Sequence, residues 1–360
     1  MVHIGLTYNE NHDLHDPVLN GFPGPENPDR LNQILDYLAK KDIFNNETCS
    51  VYNSDPALLE DILRVHVREY VDLVRSSTKK SARQLGTDTY LCDASFDVLL
   101  QAIGCVLKAG SLVAKGNCDH SFALIRPPGH HAGISNSSGF CVFNNSAILA
   151  RYLQAEHGLE KIVIINIDAH ASDGTYSIFS DDSDVLCISV HQDPSTLYPY
   201  KCFTKDIGVY PALGFCINME MPPRSGNSEY AIFFDEFVIE VLEQFDPDIV
   251  ILECGFDSYY KESLAQLDLT VDGYYHIVSK LAKRWNTVCL LEGGYHDDLG
   301  LLVFAVIEGL MGRKTVVDEV DQVDLLASRD TSTRKIFIKK LSKLRMILDP
   351  YWEFSVNSRV

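Results

Sequence analysis

The sequence, 360 residues long, lacks the features that mark exported and membrane proteins. Its apolar runs, such as Leu301–Ile307, stop far short of the roughly 20 residues that cross a bilayer. Met1–Tyr8 has neither the charged start nor the apolar core of a signal peptide. We therefore predict neither export nor a membrane partner, and we expect a cytoplasmic protein.

The ten cysteines include no C-x-x-C pair, which excludes a zinc knuckle and a thioredoxin motif. Cys105, Cys187 and Cys289 lie within apolar runs, and we interpret them as small buried thiols. This usage favours a reducing, intracellular compartment.

Basic residues are few, because 31 Lys and Arg stand against 50 Asp and Glu, a formal charge of −19. Such a charge argues against direct binding of nucleic acid, whose phosphates would be repelled. Residues 329–360 hold eight basic and three acidic side chains, a balance of +5, so the first 328 residues carry −24. The acidity is compatible with basic partners and with plain solubility, and a homo-oligomer is left open.

Hydrophobic residues make up 46% of the chain, which is enough for a large globular core. From about residue 98, short β-rich runs alternate with helical patterns, whereas the earlier part is predicted to be mainly helical. The pattern predicts one α/β domain with a central parallel sheet and helices on both faces. The predicted strands are Phe122–Ile125, Ile162–Ile167, Val185–Val190, Ile249–Leu252 and Thr287–Leu291, and the predicted helices include Val98–Leu112, Asn145–Glu156 and Tyr230–Phe245.

The end of the chain is predicted to be a basic amphipathic helix, Arg334–Leu348. We divide the chain into a main domain, residues 1–316, and an extension, residues 317–360, packed on the same domain. We favour a surface cover for this helix, and a docking element for an acidic patch is the alternative. The residues predicted to face inward are Ile336, Phe337, Leu341, Leu344 and Ile347, with the basic residues outward.

Polar residues follow four of the five predicted strands, each just past the strand's carboxyl end. In open α/β sheets, ligands bind at this edge. Four separate strand ends that offer such side chains to one edge indicate a functional site. The residues are His130 and His131 after the first strand, Asp168 and His170 after the second, Asp257 after the fourth and Tyr295 after the fifth.

The pattern Asp168-Ala169-His170 places a carboxylate and an imidazole two residues apart, where strand alternation directs both the same way. With Asp257 they would form a three-ligand set with one open position, which is how a catalytic zinc ion is held. On its own, Asp-x-His is equally typical of a solvated loop.

Two further motifs surround this set. His130 and His131 follow the stiff segment Arg126–Gly129, and imidazoles titrate in the range that suits proton transfer. An isolated His-His pair is more often structural or at the surface. Two glycines before Tyr295 permit a tight turn that would present its phenol to the site, although such a tyrosine is often just packed.

Together these motifs resemble the zinc-dependent histone deacetylase family, which includes acetylpolyamine amidohydrolases and acetoin-utilisation proteins and has the arginase-like α/β fold. The resemblance extends from about residue 20 to residue 312. It rests on Pro25–Leu31, His66–Val71, Arg126–His131, Gly139–Cys141, Asp168–Thr175, Gly255–Asp257 and Leu291–Tyr295.

The resemblance implies a single-domain zinc hydrolase with its active site at the carboxyl ends of the strands. Asp168, His170 and Asp257 would bind Zn²⁺. Tyr295 would polarise the acyl oxygen and stabilise the oxyanion that follows. The reaction implied is the removal of an acetyl or other short acyl group from an acylated lysine or polyamine.

The resemblance also implies a catalytic histidine dyad. His131 would take a proton from the attacking water with Asp173 orienting its ring, and a dyad histidine would later protonate the leaving amine. The chain departs from the family at Asn166, where an aspartate is usual, and at Ala171–Ser172, where His-Gly is usual. Asn166 would face His130 as a neutral partner, unable to stabilise an imidazolium as a carboxylate does.

The substrate side is implied by the same resemblance. Phe140 and Tyr198 would line the narrow acyl-lysine tunnel, the Gly139 carbonyl would accept a hydrogen bond within it, and Asp88 would hold the substrate backbone. The family's Pro-Gly-Thr-Gly is replaced by Pro199–Cys202, so we expect an unusual rim.

The family further carries a structural monovalent cation, K⁺ or Na⁺, near the zinc. By resemblance it would be held here by the backbone carbonyls of Asp168 and His170 and by Ser189. The aspartate lost at Asn166 weakens this expectation.

Two alternatives stay open at this point. One is a family member that binds acyl-lysine or metal with little turnover, as the departures at Asn166 and Pro199–Cys202 suggest. The other is an arginase-like binuclear manganese ureohydrolase, since Asp-Ala-His also opens that motif. Ser172 stands where that motif needs a carboxylate, which disfavours the second alternative.

Overall fold

The computed structural model describes residues 2–16, 21–22, 24–79, 84–313 and 331–355. Its centre is a parallel sheet of eight strands, and a short antiparallel pair lies apart from it. The strands are β1 (Ile4–Tyr8), β2 (Cys49–Val51), β3 (Gln84–Leu85), β4 (Thr89–Tyr90), β5 (His120–Leu124), β6 (Ile162–Asn166), β7 (Val185–Gln192), β8 (Cys216–Met221), β9 (Ile249–Cys254) and β10 (Thr287–Leu291). The order across the large sheet is β2-β1-β5-β10-β9-β6-β7-β8, and β3 pairs with β4.

Helices connect the strands and cover both faces of the sheet. They are α1 (Asp29–Lys40), α2 (Leu59–Ile62), α3 (Arg68–Ser77), α4 (Ser95–Ala114), α5 (Asn145–His157), α6 (Asp173–Phe179), α7 (Asn227–Phe233), α8 (Ile239–Phe245), α9 (Val271–Ala282), α10 (Leu299–Leu310) and α11 (Thr331–Leu348). A π-helical turn, Phe234–Val238, joins α7 to α8 without a break. Short 3₁₀ turns occur at His12–Leu14 and Ile43–Asn45.

The side chains of the apolar strands contribute to two hydrophobic cores, one on each face of the sheet. In β6, Val163 and Ile165 enter the core beneath α1, α9 and α10, whereas Ile162 and Ile164 enter the core beneath α4 and α5. Successive side chains of a strand point to opposite faces, so a strand buried on both sides reads as a continuous apolar run. This arrangement confirms the predicted α/β fold with a central parallel sheet.

The prediction of a mainly helical beginning is wrong in part, because β1 and β2 belong to the sheet. β1 pairs with β5 in the register Ile4↔His120, so its place depends on a partner far along the chain. The strand β8 was not predicted either. Its polar residues, Asn218 and Glu220, interrupt the apolar run that would have marked it.

The helix α4 is long and apolar enough to cross a membrane by length and composition alone, although no single apolar run in the sequence reaches that length. In the fold, 72% of the most apolar 18-residue stretch of this helix is buried, and the helix packs against α5, β5 and β1. Buried core helices of globular domains commonly meet the same criterion.

The last helix, α11, lies close to its predicted bounds and packs on the main domain. Phe337, Leu341 and Leu344 are buried, but Ile336 is 48% exposed and therefore does not face inward as predicted. At the other end of the helix Leu348 is buried, whereas the predicted Ile347 is half-buried. Phe337, Leu341, Leu344 and Leu348 keep the spacing of three to four residues that one helix face requires. The predicted domain boundary at residue 316 lies outside the described residues.

The prediction that the basic residues of α11 point to solvent is wrong for two of them. The Lys340 ammonium lies 2.8 Å from an Asp193 carboxylate oxygen and also contacts Glu220 of β8. Arg334 pairs with Glu229 at 2.9 Å. The positive charge of the extension thus meets acids of the main domain.

Candidate active site

The carboxyl ends of the strands enclose a cavity of about 270 Å³. Because the strands are parallel, loops from distant parts of the chain meet at this one edge. Ten of the residues predicted to form the site line this cavity. They are Asp88, His130, His131, Gly139, Phe140, Asp168, His170, Tyr198, Asp257 and Tyr295.

Two carboxylates and one imidazole form a compact group at the floor of the cavity. The Nδ1 atom of His170 lies 3.0 Å from Oδ1 of Asp168 and 2.7 Å from Oδ2 of Asp257. Asp168 and Asp257 are buried, and their ligand atoms and that of His170 all lie within 4.8 Å of one another. One ligand atom from each residue can therefore reach the same ion.

The electrostatics of this group favour a cation. Burial alone would lower the pKa of His170, but the charge of Asp257 and the hydrogen bond to Asp168 outweigh it and raise this pKa to about 10. Burial and the charge of Asp168 raise the pKa of the Asp257 carboxyl. Two carboxylates that repel each other in a dry site are stabilised by a divalent cation.

The backbone around the group is shaped to hold it. The Ala169 N–H donates to Oδ1 of Asp257 at 2.6 Å, and the Gly293 N–H donates to Oδ2 of Asp168 at 2.9 Å. A Cβ atom on Gly293 would lie 2.5 Å from that same Asp168 oxygen, and one on Gly255 would lie 1.9 Å from it. Oriented carboxylates, an imidazole and these two side-chain-free positions fit a zinc ion.

A second group with the spacing of a metal site occurs in the described ranges, formed by His130, Cys141 and Glu292. All three residues are buried. Burial raises the pKa of the Cys141 thiol well above its ordinary value, so the sulfur keeps its proton and is a poor ligand. Of the two groups, the Asp-His-Asp group is therefore the better candidate for a metal centre.

The two histidines of the predicted dyad stand side by side, with ring centroids 4.0 Å apart. Nδ1 of His131 lies 2.7 Å from Oδ1 of Asp173, which begins α6. The Lys201 ammonium lies 2.9 Å from the other oxygen of Asp173. The hydrogen bond to His131 and the charge of Lys201 together hold the pKa of Asp173 low in spite of burial.

The other histidine has an uncharged partner. Nδ1 of His130 lies 3.2 Å from Oδ1 of Asn166, at the end of β6. Burial, followed by the charges of His131 and His170, lowers the pKa of His130 well below its ordinary value. His130 is therefore a neutral imidazole at neutral pH. Its Nδ1 atom faces an amide, whereas Nδ1 of His131 faces a carboxylate.

Tyr295 is held at the wall of the cavity by contacts on several sides. The Glu262 carboxylate accepts a hydrogen bond from its backbone N–H at 2.8 Å. The Arg30 guanidinium lies 4.6 Å from the centroid of its ring, and the ring of Phe140 meets it edge-on at 5.8 Å. Burial raises the pKa of the phenol well above its ordinary value, so the hydroxyl is a hydrogen-bond donor at neutral pH.

Aromatic side chains form the walls of the cavity. Tyr198 meets His131 edge-on with centroids 5.1 Å apart, and its hydroxyl contacts Ser138. Gly139 adopts φ 51°, and a Cβ atom there would lie 2.3 Å from the ring of His131. The Gly139 carbonyl accepts a hydrogen bond from the Cys141 thiol at 3.3 Å and has a second lone pair for another donor.

Sequence reasoning missed two buried glutamates at neighbouring strand ends, Glu253 of β9 and Glu292 after β10. One oxygen of Glu292 accepts the backbone N–H groups of Gly129 at 2.7 Å and of His130 at 3.2 Å, which positions the loop of the dyad. In the sequence, each of these glutamates is a single charged residue at the end of an apolar strand, and this pattern could have indicated a buried carboxylate near the site. The prediction instead ended β9 at Leu252, before Glu253.

Lys201 was also missed as a partner of the site. Its segment, Pro199–Cys202, was recognised as a departure in the sequence, but the pattern did not show that the lysine ammonium reaches Asp173. The contact with Asp173 depends on the path of the loop, in which Tyr200 and Cys202 both have positive φ.

The parallel sheet and the polar cluster at its carboxyl edge are typical of α/β hydrolases that use a metal ion. A sequence model of the histone deacetylase domain matches residues 24–308. The chain therefore belongs to the histone deacetylase family, and this membership supports deacetylase activity in general.

Individual relatives agree with this assignment. A probable deacetylase of Archaeoglobus fulgidus is 34% identical over 297 residues, which cover 81% of each chain. Histone deacetylase 18 of Arabidopsis thaliana is 33% identical over 97% of this chain and 52% of its own length. The crystal structure of the HDA15 HD domain superposes with a TM-score of 0.87 at 28% identity, covering 98% of this chain and 96% of that domain.

Proposed function

We propose that the protein is a zinc-dependent amidohydrolase that removes an acetyl or another short acyl group from an acylated amine. One observation carries this proposal. The Asp-His-Asp group, His131 with its carboxylate and Tyr295 all line the same aromatic-walled cavity. A single small acyl amide placed there would meet a metal site, a base and a hydroxyl donor together.

Asp168, His170 and Asp257 would hold the zinc ion. A bound zinc ion supplies a Lewis acid that polarises the acyl carbonyl and activates water for attack. The N–H groups of Ala169 and Gly293 keep the two carboxylates oriented during this step.

His131 would move the proton. With Nδ1 directed at Asp173, its Nε2 atom is left free to take a proton from the attacking water. The carboxylate of Asp173 stabilises the imidazolium that results, as the neutral amide beside His130 cannot. The same imidazolium can then protonate the leaving amine, which completes cleavage of the C–N bond.

Tyr295 would stabilise the charge that develops on the acyl oxygen. A tyrosine hydroxyl is protonated at neutral pH, and desolvation in this site raises the pKa of Tyr295 further above its ordinary value. A donor fixed in advance costs no reorganisation when the oxyanion forms, and such donors contribute strongly to catalysis.

The substrate would be a lysine side chain or a polyamine. Phe140 and Tyr198 give the cavity apolar walls that suit the methylene stem of either amine. Asp88 lines the same cavity, and the first 328 residues carry a formal charge of −24. Both features favour a substrate with basic groups beyond the acylated nitrogen.

The test is acetate release by the zinc-loaded full chain from acetyl-lysine peptides, acetylated polyamines and their longer acyl analogues. We expect turnover of at least one class, its loss in His131→Ala, and its retention in Tyr210→Phe. The last variant is a matched control, since Tyr210 is 86% exposed and lies outside the cavity. A folded, zinc-loaded protein that is inert on the whole panel would contradict the proposal and favour a binding protein.

A further inference from the structure

The side-chain amide of Asn166 lies among a set of oxygen atoms behind the metal centre. Asn166 is fully buried, and its Nδ2 atom lies 2.9 Å from the His170 carbonyl and 3.2 Å from Oγ of Ser189. The Asp168 carbonyl is 3.5 Å away. These are the same three residues that the resemblance assigns to a monovalent cation.

The orientation of this amide follows from the atoms around it. Backbone carbonyls only accept hydrogen bonds, so the NH₂ end of Asn166 must face Asp168 and His170. Its oxygen is then directed at Nδ1 of His130, 3.2 Å away. The opposite orientation would place an oxygen against two carbonyl oxygens and leave both amide hydrogens facing the imidazole.

The amide nitrogen thus occupies the position that a cation would need. A K⁺ ion is held by several oxygens, carbonyls among them, that replace its water shell. Here those oxygens already accept from an N–H donor, and a cation among them would face the positive end of the amide dipole. Ser189 is engaged further, with Nδ1 of His191 at 2.8 Å and the Ser172 N–H at 3.4 Å.

We propose that the Asn166 amide replaces the structural monovalent cation, so that this chain folds and keeps its metal centre in order without bound K⁺ or Na⁺. The oxygens expected to hold the cation therefore do not fit it. An aspartate at this position would bring a negative charge that calls for the cation, whereas asparagine brings its own two hydrogen-bond donors.

The same geometry selects the tautomer of His130. Because Oδ1 of Asn166 can only accept, Nδ1 of His130 must carry the ring hydrogen. In the neutral ring the bare nitrogen is then Nε2, which lies 3.9 Å from an oxygen of Asp168. Asn166 therefore has two roles: its NH₂ group donates hydrogen bonds to the surrounding oxygens, and its Oδ1 atom orients the ring of His130.

Direct binding of the ion tests the proposal, and this measurement does not depend on deacetylase activity. The zinc-loaded full chain is dialysed into choline chloride and then against KCl, and bound potassium is measured by mass spectrometry alongside thermal unfolding. We expect the wild type to bind well below one equivalent of K⁺ and its Tm to differ by less than about 1 °C between the two salts.

The variant Asn166→Asp is expected to gain the site. In choline chloride its carboxylate would face two carbonyls, so its Tm should fall; in KCl it should bind about one equivalent of K⁺ and recover several degrees. Asn218→Asp is the matched control, because Asn218 is also a buried amide at a strand of this sheet, donating to the Asp206 carbonyl at 2.7 Å. It should lose stability without recovery in KCl.

Two results would overturn the proposal. One is a wild-type chain that binds about one equivalent of K⁺ and unfolds several degrees higher in KCl than in choline chloride. The other is an Asn166→Asp chain that folds and binds no more K⁺ than the wild type. If the variant does not fold in either salt, the wild-type measurement decides.

Discussion

The buried carboxyl of Glu253 makes a strong prediction about the pH dependence of stability. Glu253 is fully buried at the end of β9, where Oε1 accepts hydrogen bonds from Thr175 at 2.7 Å and from Ser146. Its other oxygen has no hydrogen-bond partner within the described part of the chain. Burial, reinforced by the negative charge of Asp168, raises the pKa of Glu253 from 4.5 to about 7.

The sign follows from which state holds the proton. Between about pH 4.5 and 7 the unfolded chain has ionised Glu253 while the folded protein keeps it protonated. Folding then binds a proton, so the stability from this group is complete below pH 4.5 and is lost as the pH rises to 7. One pKa unit corresponds to about 1.4 kcal/mol, which makes the total loss about 3 kcal/mol.

The variant Glu253→Gln removes this titration. Between pH 5 and 8 its free energy of unfolding should fall by about 2.5 kcal/mol less than that of the wild type, because the amide stays neutral throughout and part of the wild-type loss lies below pH 5. Urea unfolding at matched zinc content measures this change for both proteins. Any effect of the substitution that does not depend on pH cancels, because each protein is compared with itself at the two pH values. Glu160→Gln, at an exposed position, controls for the loss of a surface carboxylate. Parallel pH curves for wild type and Glu253→Gln would refute the reasoning.

Three further predictions concern the site and the extension. Tyr295→Phe should lower kcat about 100-fold or more with little change in KM, since an oxyanion donor is lost; unchanged kcat in steady-state assays would contradict this role. Gly293→Ala would place a Cβ atom 2.5 Å from a carboxylate oxygen of Asp168, so the purified variant should contain little zinc. A full equivalent of zinc, measured by mass spectrometry, would contradict this role of Gly293. Lys340→Met removes the ammonium that lies 2.8 Å from Asp193, so the free energy of unfolding measured in urea should fall by about 1 kcal/mol. An unchanged free energy of unfolding would show that the pair does not stabilise the packing of α11.

The fold was predictable wherever local pattern and burial agree. The strand β10 has the bounds expected from its β-branched and apolar run, and α5 differs from its predicted end by one residue. The strands that were missed depend on distant partners. β2 has three residues and, within the described ranges, pairs only with β1, and β8 carries polar residues because its Glu220 meets Lys340 of the extension.

The centre of the site was predictable because the chemistry needs particular residue types at strand ends. The residues behind it were not, since they act through contacts that no local spacing encodes. Glu292 holds backbone N–H groups of a loop from another strand, and Lys201 reaches Asp173 from a segment near the rim. Asn166 was recognised as a departure, but only the structure shows its amide nitrogen on three oxygens.

The two departures at the dyad, Asn166 and the segment of Lys201, act on opposite sides of the same pair of rings. Asn166 gives Nδ1 of His130 an uncharged partner, whereas Lys201 adds a positive charge beside the carboxylate that faces His131. Because Lys201 is 68% exposed at its side chain, solvent screens much of that charge, and Asp173 remains an effective partner for an imidazolium. In the proposed reaction this asymmetry favours His131 as the group that transfers the proton, because its imidazolium would have a carboxylate at Nδ1 and that of His130 would not.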